Sequence, residues 1–182
     1  MKLKLIDAVN TAYFEPLCKL YDSAFPEEEK KPMRLMLEKR EAGYFDILAI
    51  VDECDAFAGL AITVKCGGLV LLDYFAIAPE LRGGGIGSLA LKLLREKYPD
   101  RRLILEIEST LCPSDNPEQR NRRKRFYLAN GMRPMPYRVY LFGVEMELMT
   151  FGGEVSFDEY HSLFVEVYGN SAAKRVVLKH CV

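Results

Sequence analysis

Four glycines and one arginine lie within eight residues, Leu81–Ser88, and this composition is typical of an anion-binding loop. An apolar run before it, Leu69–Ala78, predicts a strand, and apolar residues at helical spacing after it, over Ile86–Tyr98, predict a helix. Glycines let the backbone approach a ligand closely, and the first N–H groups of a helix have no intrahelical partner. With the helix dipole and the charge of Arg82, these groups favour a phosphate or pyrophosphate.

Two common phosphate-binding loops do not fit this stretch. A nucleoside-triphosphate loop ends in Gly-Lys followed by Ser or Thr, and no lysine occupies that place here. A dinucleotide loop has the spacing G-x-G-x-x-G and opens after the first strand. Gly83, Gly85 and Ser88 only approximate that spacing, and the loop follows the fourth predicted strand. A nucleotide-binding domain of another fold therefore ranks third among the functional hypotheses.

Two motifs resemble those of the GNAT N-acetyltransferase superfamily. The first, over residues 82–87, reads Arg-x-x-Gly-x-Gly and follows the segment Tyr74–Glu80, as the acetyl-CoA loop of the family follows its strand. The second, over Phe126–Met132, reads Phe-Tyr-x-x-x-Gly-Met, where the family has an aromatic residue in the last position. The two motifs occur in the family's order, and the resemblance covers roughly residues 1–150.

The resemblance implies a fold and a cofactor. The fold is α/β (α+β) and GNAT-like: a mixed, mostly antiparallel sheet with a central splayed parallel pair, flanked by helices. The cofactor is acetyl-CoA, with its pyrophosphate on Arg82 and the loop N–H groups, its pantetheine arm along residues 75–77, and Arg123 near the CoA phosphates. An N–H of Phe75 or Ala76 would bond the acetyl oxygen. The implied cofactor-binding residues are Phe75, Ala76, Ile77, Arg82, Gly83, Gly84, Gly85, Ile86, Gly87, Ser88 and Arg123.

The resemblance also implies an activity, which is acetyl transfer from acetyl-CoA to a primary amine by direct attack in a ternary complex. This reaction needs a polarised thioester carbonyl and a proton for the departing thiolate. Tyr127 stands where many family members place a tyrosine near the sulfur, and a phenol with a pKa of about 10 can stabilise or protonate a thiolate. The alternative role of Phe126 and Tyr127 is an aromatic pair that packs a helix against the sheet.

A primary amine has a pKa of about 10 and must lose a proton before it attacks. The candidate bases are Glu106 and Glu108, on the predicted strand Arg102–Glu108, and Asp73 on the strand before it. Residues two apart on a strand share one face, so either glutamate could act directly or through water. The glutamates are favoured over Asp73, and the alternative role for all three is a bond to a neighbouring loop.

The acceptor is expected to be a small-molecule or peptide amine whose identity the sequence does not give. In folds of this kind the first two helices and the loops around the last hairpin select it, and those regions contain Phe25, Glu27, Glu28, Glu29, Tyr137 and Tyr140. The glutamates could favour a cationic amine, although helix capping explains them better. A competing function is a non-catalytic acyl-CoA sensor on the same fold.

The composition excludes several other classes. A formal net charge of -1 provides no field that would hold nucleic acid or an acidic membrane, and no apolar run approaches the roughly 20 residues of a membrane span. Five scattered cysteines and two histidines argue against a disulfide framework and against a metal site, and they favour a reducing cytoplasm. Cys112 is expected to be inert, His161 to be a surface or capping group, and the basic run Arg120–Arg125 to be a solvated face.

The chain of 182 residues is expected to form one domain, with a core over residues 1–150 and a helical extension over 151–182 that covers the acceptor site or forms a homodimer interface. Ser156 and Glu159 stand in capping-box positions at the start of its last helix. The strands are predicted at Lys2–Ala8, Asp46–Val51, Ala56–Lys65, Leu69–Ala78, Arg102–Glu108, Arg138–Phe142 and Glu145–Phe151. The helices are predicted at Tyr13–Phe25, from Pro26 to Arg40, and at Ile86–Tyr98, Glu118–Asn130 and Ser156–Tyr168.

Overall fold

A computed structural model describes residues 2–179, and among them it forms eight strands and six α-helices. The strands are Leu3–Asp7 (β1), Phe45–Asp52 (β2), Phe57–Cys66 (β3), Leu69–Ile77 (β4), Arg102–Glu108 (β5), Arg133–Leu141 (β6), Val144–Phe151 (β7) and Val176–Lys179 (β8). The helices are Phe14–Ala24 (α1), Met33–Glu41 (α2), Ile86–Lys97 (α3), Pro117–Ala129 (α4), Phe157–Tyr168 (α5) and Asn170–Ala173 (α6).

The strand order is β1-β2-β3-β4-β5-β7-β6-β8, and β4 and β5 form a parallel pair in an otherwise mostly antiparallel sheet. The expected mixed sheet with flanking helices is therefore confirmed. The parallel pairing joins Leu69–Leu71 of β4 to residues 102–104 of β5. Within the described residues the contacts define two compact units, of which one contains 2–65 with 72–99 and the other contains 66–71 with 100–179.

The first unit contains β1 to β3 and most of β4, with helices on both faces. Ile86 and Ala90 of α3 pack in a buried cluster with Ile50 and Ala58, and Phe75 of β4 borders this cluster. On the neighbouring residue of β4, the Tyr74 ring meets the Tyr21 ring of α1 edge-on at a centroid distance of 4.8 Å. Because successive side chains of a strand point to opposite faces, α1 and α3 cover opposite faces of this unit.

The second unit contains β5 to β8 and the start of β4. Its sheet is antiparallel from β5 through β7 and β6 to β8. Helix α5 begins with the predicted capping box, in which Ser156 accepts a hydrogen bond from the Glu159 N–H and the Glu159 side chain accepts one from the Ser156 N–H. Buried residues of α5 include Leu163 and Phe164.

The second helix does not begin where the sequence indicated. Glu27–Glu29 forms only a 3-10 turn, and α2 begins at Met33, after Pro32. A proline inside a helix removes a backbone donor and disfavours a helical conformation for the residue before it, so no helix can run from Glu27 through Pro32. The Tyr74 hydroxyl instead accepts a hydrogen bond from the Lys31 N–H at 2.9 Å.

The C-terminal region contains a strand that the sequence analysis missed. β8 pairs with β6, with Arg138 opposite Lys179 and Leu141 opposite Val176. Four residues with mixed exposure carry too little periodicity to be recognised as a strand before the partner strand is known. His180 and Cys181, which entered the count of metal ligands, lie outside the described residues.

Candidate active site

The glycine loop between β4 and α3 contains two glycines in the left-handed conformation. Gly83 and Gly85 have φ angles of +84° and +79°, in the left-handed region that favours glycine. A Cβ at either position would meet nothing within 4 Å, so the glycines serve the backbone conformation and leave the space beside the loop open. Gly85 is the N-cap of α3, and the buried side chain of Ile86 anchors the helix start.

The start of α3 has the features of an anion site. No side chain caps this helix, so its first N–H groups lack a capping acceptor. The exposed side chain of Arg82 donates from Nε to the Ile77 carbonyl at 3.0 Å, which holds the guanidinium beside the end of β4. No ion pair involving Arg82 occurs among residues 2–179, so its charge is not neutralised by a neighbouring carboxylate.

β3 lies very close to the end of β4, because residue 59 is a glycine. A Cβ built on Gly59 would lie 2.4 Å from the Ala76 carbonyl oxygen, a separation that real Cβ atoms do not adopt. The pairing of β2 with β3 also shifts here, from Ile50 opposite Gly59 to Val51 opposite Phe57. The extra residue makes a β-bulge at this point of β3.

Contacts with β3 indicate the direction of the backbone groups at the end of β4. The Ala78 N–H donates to the Ala58 carbonyl of β3 at 3.0 Å, and the Ala76 carbonyl faces β3 as well. Because backbone groups of successive strand residues point to alternate sides, those of Phe75 and Ile77 point away from β3. Of the two N–H groups considered for the acetyl oxygen, the one on Phe75 is thus directed away from β3.

Tyr127 lies on the inner side of α4 and is only 8% exposed. Burial raises the pKa of Tyr127 to about 12, and the nearby charge of Arg123 opposes this rise. The Phe126 and Tyr127 rings pack edge-on at a centroid distance of 5.1 Å. The Tyr127 hydroxyl makes no hydrogen bond within residues 2–179. A protonated phenol at neutral pH without a protein partner is a candidate proton donor.

Glu106 and Glu108 lie two residues apart on β5, as expected, but have different partners. The Tyr160 hydroxyl of α5 donates a hydrogen bond to Glu106 Oε1 at 2.5 Å. Glu108 forms an ion pair with Arg120 of α4. In the first unit, Lys31 Nζ lies 2.8 Å from an oxygen of Asp73, whose side chain is almost fully buried. Glu108 and Asp73 are thus both paired with a cation.

The remaining candidates fall into two groups. Arg123 is exposed and lies one turn before Tyr127 on α4, and it has no ion pair among the described residues. Of the residues considered for the acceptor, Phe25 packs against Tyr74 at a centroid distance of 5.0 Å. Glu27 pairs with Lys30 at 2.7 Å.

Two residues on β6 were also considered for the acceptor. The Tyr137 hydroxyl donates to the Val155 carbonyl at 2.8 Å, while Tyr140 is exposed.

No group of three or more His, Cys, Asp and Glu side chains within residues 2–179 has an arrangement that could hold a metal ion. No helix in the same range is long and apolar enough to cross a membrane.

A polar network that joins α4 to β7 was not recognised from the sequence. Glu147 of β7 forms an ion pair with Lys124 of α4 and accepts two hydrogen bonds from Thr110, at 2.8 Å from its N–H and 2.7 Å from its hydroxyl. Burial raises the pKa of Glu147, but the hydrogen bonds from Lys124 and Thr110 outweigh it and leave the pKa below its ordinary value. The only signal in the sequence was that Arg120, Lys124 and Tyr127 share one face of a helix.

A protein-family model and solved structures match this chain. Residues 14–127 match the model of the acetyltransferase (GNAT) family. A comparison with curated protein sequences gave no match. A solved structure assigned to the GNAT family, from Bacteroides thetaiotaomicron, is 25% identical, with a TM-score of 0.75 over 93% of this chain and 99% of that one.

Two more distant structures share the fold. An aminoglycoside 6'-N-acetyltransferase complexed with coenzyme A is 18% identical, with a TM-score of 0.65 over 86% of this chain and 100% of that one. A spermidine N-acetyltransferase from Vibrio cholerae, in complex with CoA and spermine, is 12% identical, with a TM-score of 0.65 over 82% and 94% of the two chains.

Proposed function

Because the chain belongs to the GNAT family of acetyltransferases, we propose that it transfers an acetyl group from acetyl-CoA to a primary amine by direct attack in a ternary complex. The open anion site at the start of α3 carries this proposal. The start of α3 has no side-chain cap, its two left-handed glycines leave open space beside the loop, and Arg82 adds a positive charge. These features fit a pyrophosphate, which needs N–H donors and a cation at close range.

The backbone of β4 fits the rest of such a cofactor. In such a cofactor the acetyl group is bound as a thioester, and the CoA thiolate is a good leaving group. The backbone groups of Phe75 and the N–H of Ile77 are directed away from β3, so an extended pantetheine arm can pair with them as an added strand would, while the Ile77 carbonyl accepts from Arg82. In our proposal the Phe75 N–H polarises the acetyl carbonyl, while the Ala76 carbonyl serves the contact with β3. Gly83, Gly84, Gly85, Ile86, Gly87 and Ser88 supply the loop and helix N–H groups.

Tyr127 is proposed as the proton donor for the departing sulfur. With its pKa raised to about 12, its hydroxyl remains protonated at neutral pH. In water, transfer of this proton to a thiolate is unfavourable, because the conjugate thiol has a pKa of only about 8.5. The hydroxyl must therefore be held close to the sulfur, where it can donate as negative charge develops. The amine nitrogen forms the new bond to the acetyl carbon while the carbon–sulfur bond breaks, and solvent then restores the Tyr127 proton.

Glu106 is proposed as the base that takes the amine proton, directly or through water. Glu106 lies on β5 and accepts a hydrogen bond from the Tyr160 hydroxyl of α5. Glu108 and Asp73, which form ion pairs with Arg120 and Lys31, are the alternative candidates.

The acceptor is proposed to be a small-molecule or peptide amine, and the reaction to occur in the cytoplasm. The four cysteines that the structure describes are all free thiols, which is consistent with a reducing compartment. Relatives that share the fold act on aminoglycosides and on spermidine, so amines of both kinds belong in a first panel.

Thiol release on incubating the protein with acetyl-CoA and a panel of amines tests the proposal. Turnover with at least one amine is expected, and Tyr127→Phe should lower kcat at least tenfold while leaving CoA binding intact. The matched control is Tyr44→Phe, which removes the hydroxyl of a half-buried tyrosine just before β2, outside the proposed site. Binding of acetyl-CoA without turnover on any amine would favour a non-catalytic acyl-CoA sensor, which is the second candidate function. Failure to bind CoA would refute both.

A further inference from the structure

We propose that Lys124 and Arg120 are positioning residues, which fix the rotation of α4 and thereby the place of the Tyr127 hydroxyl. This inference rests on the proposed role of Tyr127 as proton donor. Neither cation needs to touch the substrate or the cofactor in this proposal. Each acts through an ion pair that joins α4 to a neighbouring strand.

The three residues lie on one face of α4. At 3.6 residues per turn, positions 120, 124 and 127 fall within about 60° of one another around the helix axis. Arg120 pairs with Glu108 of β5, and Lys124 pairs with Glu147 of β7. The helix is therefore attached by charge to two different strands, at points two turns and one turn before Tyr127.

The anchor on β7 is itself held rigidly. Glu147 is 7% exposed, and its Oε1 accepts hydrogen bonds from both the N–H and the hydroxyl of Thr110. Lys124 Nζ also lies 3.2 Å from the Thr110 hydroxyl. A carboxylate fixed by backbone and hydroxyl donors gives Lys124 one place to bind, so the helix above it has one preferred rotation.

Little else fixes the phenol. The Tyr127 hydroxyl makes no hydrogen bond within the described part of the chain, so the helix and the packing of the ring determine where it lies. A side chain reaches about 6 Å from the helix axis, so a rotation of 10° moves its end by about 1 Å. A misplacement of about 1 Å can lower the rate of a catalysed step about a hundredfold.

The opposite side of the helix supplies a matched control. Arg122 is exposed and forms no ion pair among residues 2–179, and it lies about 160° around the helix from Lys124. Lys124→Met and Arg122→Met remove the same type of charge from the same helix. Only the first removes a contact with the strand.

A double-mutant cycle with Tyr127→Phe tests the inference. We expect Lys124→Met to lower kcat about 10- to 100-fold when Tyr127 is present and less than threefold when residue 127 is Phe. Lys124→Arg, which keeps the ion pair, should recover most of the activity, and Arg122→Met should leave kcat unchanged. If Tyr127→Phe has no effect on kcat, the proposed role of Tyr127 fails. If Tyr127→Phe lowers kcat but the loss from Lys124→Met is the same in both backgrounds, the positioning role fails.

A structural measurement makes the test independent of turnover. The 13C resonance of the Tyr127 ring, assigned by its loss in Tyr127→Phe, should shift and broaden in Lys124→Met and stay unchanged in Arg122→Met. If Lys124→Met alone does not fold, the paired variant Lys124→Met with Glu147→Gln removes both charges and leaves neither buried without a partner. An unchanged ring resonance in the folded variant would overturn the inference.

Discussion

Gly59→Ala offers a direct test of how the end of β4 is held. The added Cβ would lie 2.4 Å from the Ala76 carbonyl oxygen, whereas ordinary contacts begin at 3.4 Å, so the backbones must separate by about 1 Å (3.4 minus 2.4). The atom in the way belongs to the backbone of β4 and cannot rotate aside. Inserting a methyl group into a packed core costs typically 1–3 kcal/mol, and this rigid contact places the cost at about 3 kcal/mol.

Two measurements should register this separation. For a domain of this size each kcal/mol lowers Tm by about 2–4 °C, so Gly59→Ala should lower Tm by about 6–12 °C in thermal unfolding followed by circular dichroism. Because Phe75 and Ile77 move with the strand, the Kd for acetyl-CoA should rise about tenfold in calorimetry. The folded fraction, measured at 15 °C, shows whether a higher Kd reflects weaker binding by the folded protein or a loss of folded protein.

Gly68→Ala is the matched control for this experiment. A Cβ at Gly68 would meet only the Arg102 guanidinium, at an ordinary contact distance of 3.9 Å, and its φ is not in the left-handed region. Its Tm should stay the same or rise slightly, since replacing glycine reduces the entropy of the unfolded chain. A Tm for Gly59→Ala within 1 °C of the wild type (less than about 0.5 kcal/mol) would refute the argument from close approach.

Three further variants probe other contacts. Arg82→Ala should weaken CoA binding at least tenfold in calorimetry, because a charge-assisted hydrogen bond contributes about 1.5–3 kcal/mol, and an unchanged Kd would contradict the anion site. Burial raises the pKa of Glu145, but the hydrogen bond from Lys179 and nearby charges outweigh it and lower the pKa from 4.5 to about 2. The ionised form thus stabilises the fold above about pH 4.5 and this contribution is lost as the pH falls towards 2, so the difference in urea unfolding between wild type and Glu145→Gln should shrink between pH 7 and pH 3. Ser156→Ala should lower the free energy of unfolding by about 0.5–2 kcal/mol through loss of the capping box, whereas Ser162→Ala, later in the same helix, should change it by less than about 0.5 kcal/mol.

Features that depend on neighbours along the chain could be predicted from the sequence. The strand over Arg102–Glu108 was predicted with the bounds that the structure has, and the capping box of Ser156 was confirmed. The predicted start of the second helix was wrong for a reason that also lies in neighbouring residues. The acidic run Glu27–Glu29 favours a helix start, but Pro32, a few residues later, prevents a helix from continuing through it. The short strand β8 was missed because its identity depends on pairing with β6.

The sequence by itself determined the glycine loop, since left-handed backbone angles and a free helix start need only the residues at those positions. It could not show that Gly59 is required by the carbonyl of Ala76, which lies 17 residues further along the chain. Nor could it show that Lys124 is paired with Glu147, 23 residues away, because that pairing depends on how α4 packs on β7. Contacts between distant residues are set by strand register and helix packing, and only the tertiary structure decides these. The glycine loop proposed for acetyl-CoA could therefore be predicted from the sequence, whereas the contacts that hold β4 and Tyr127 in place could not.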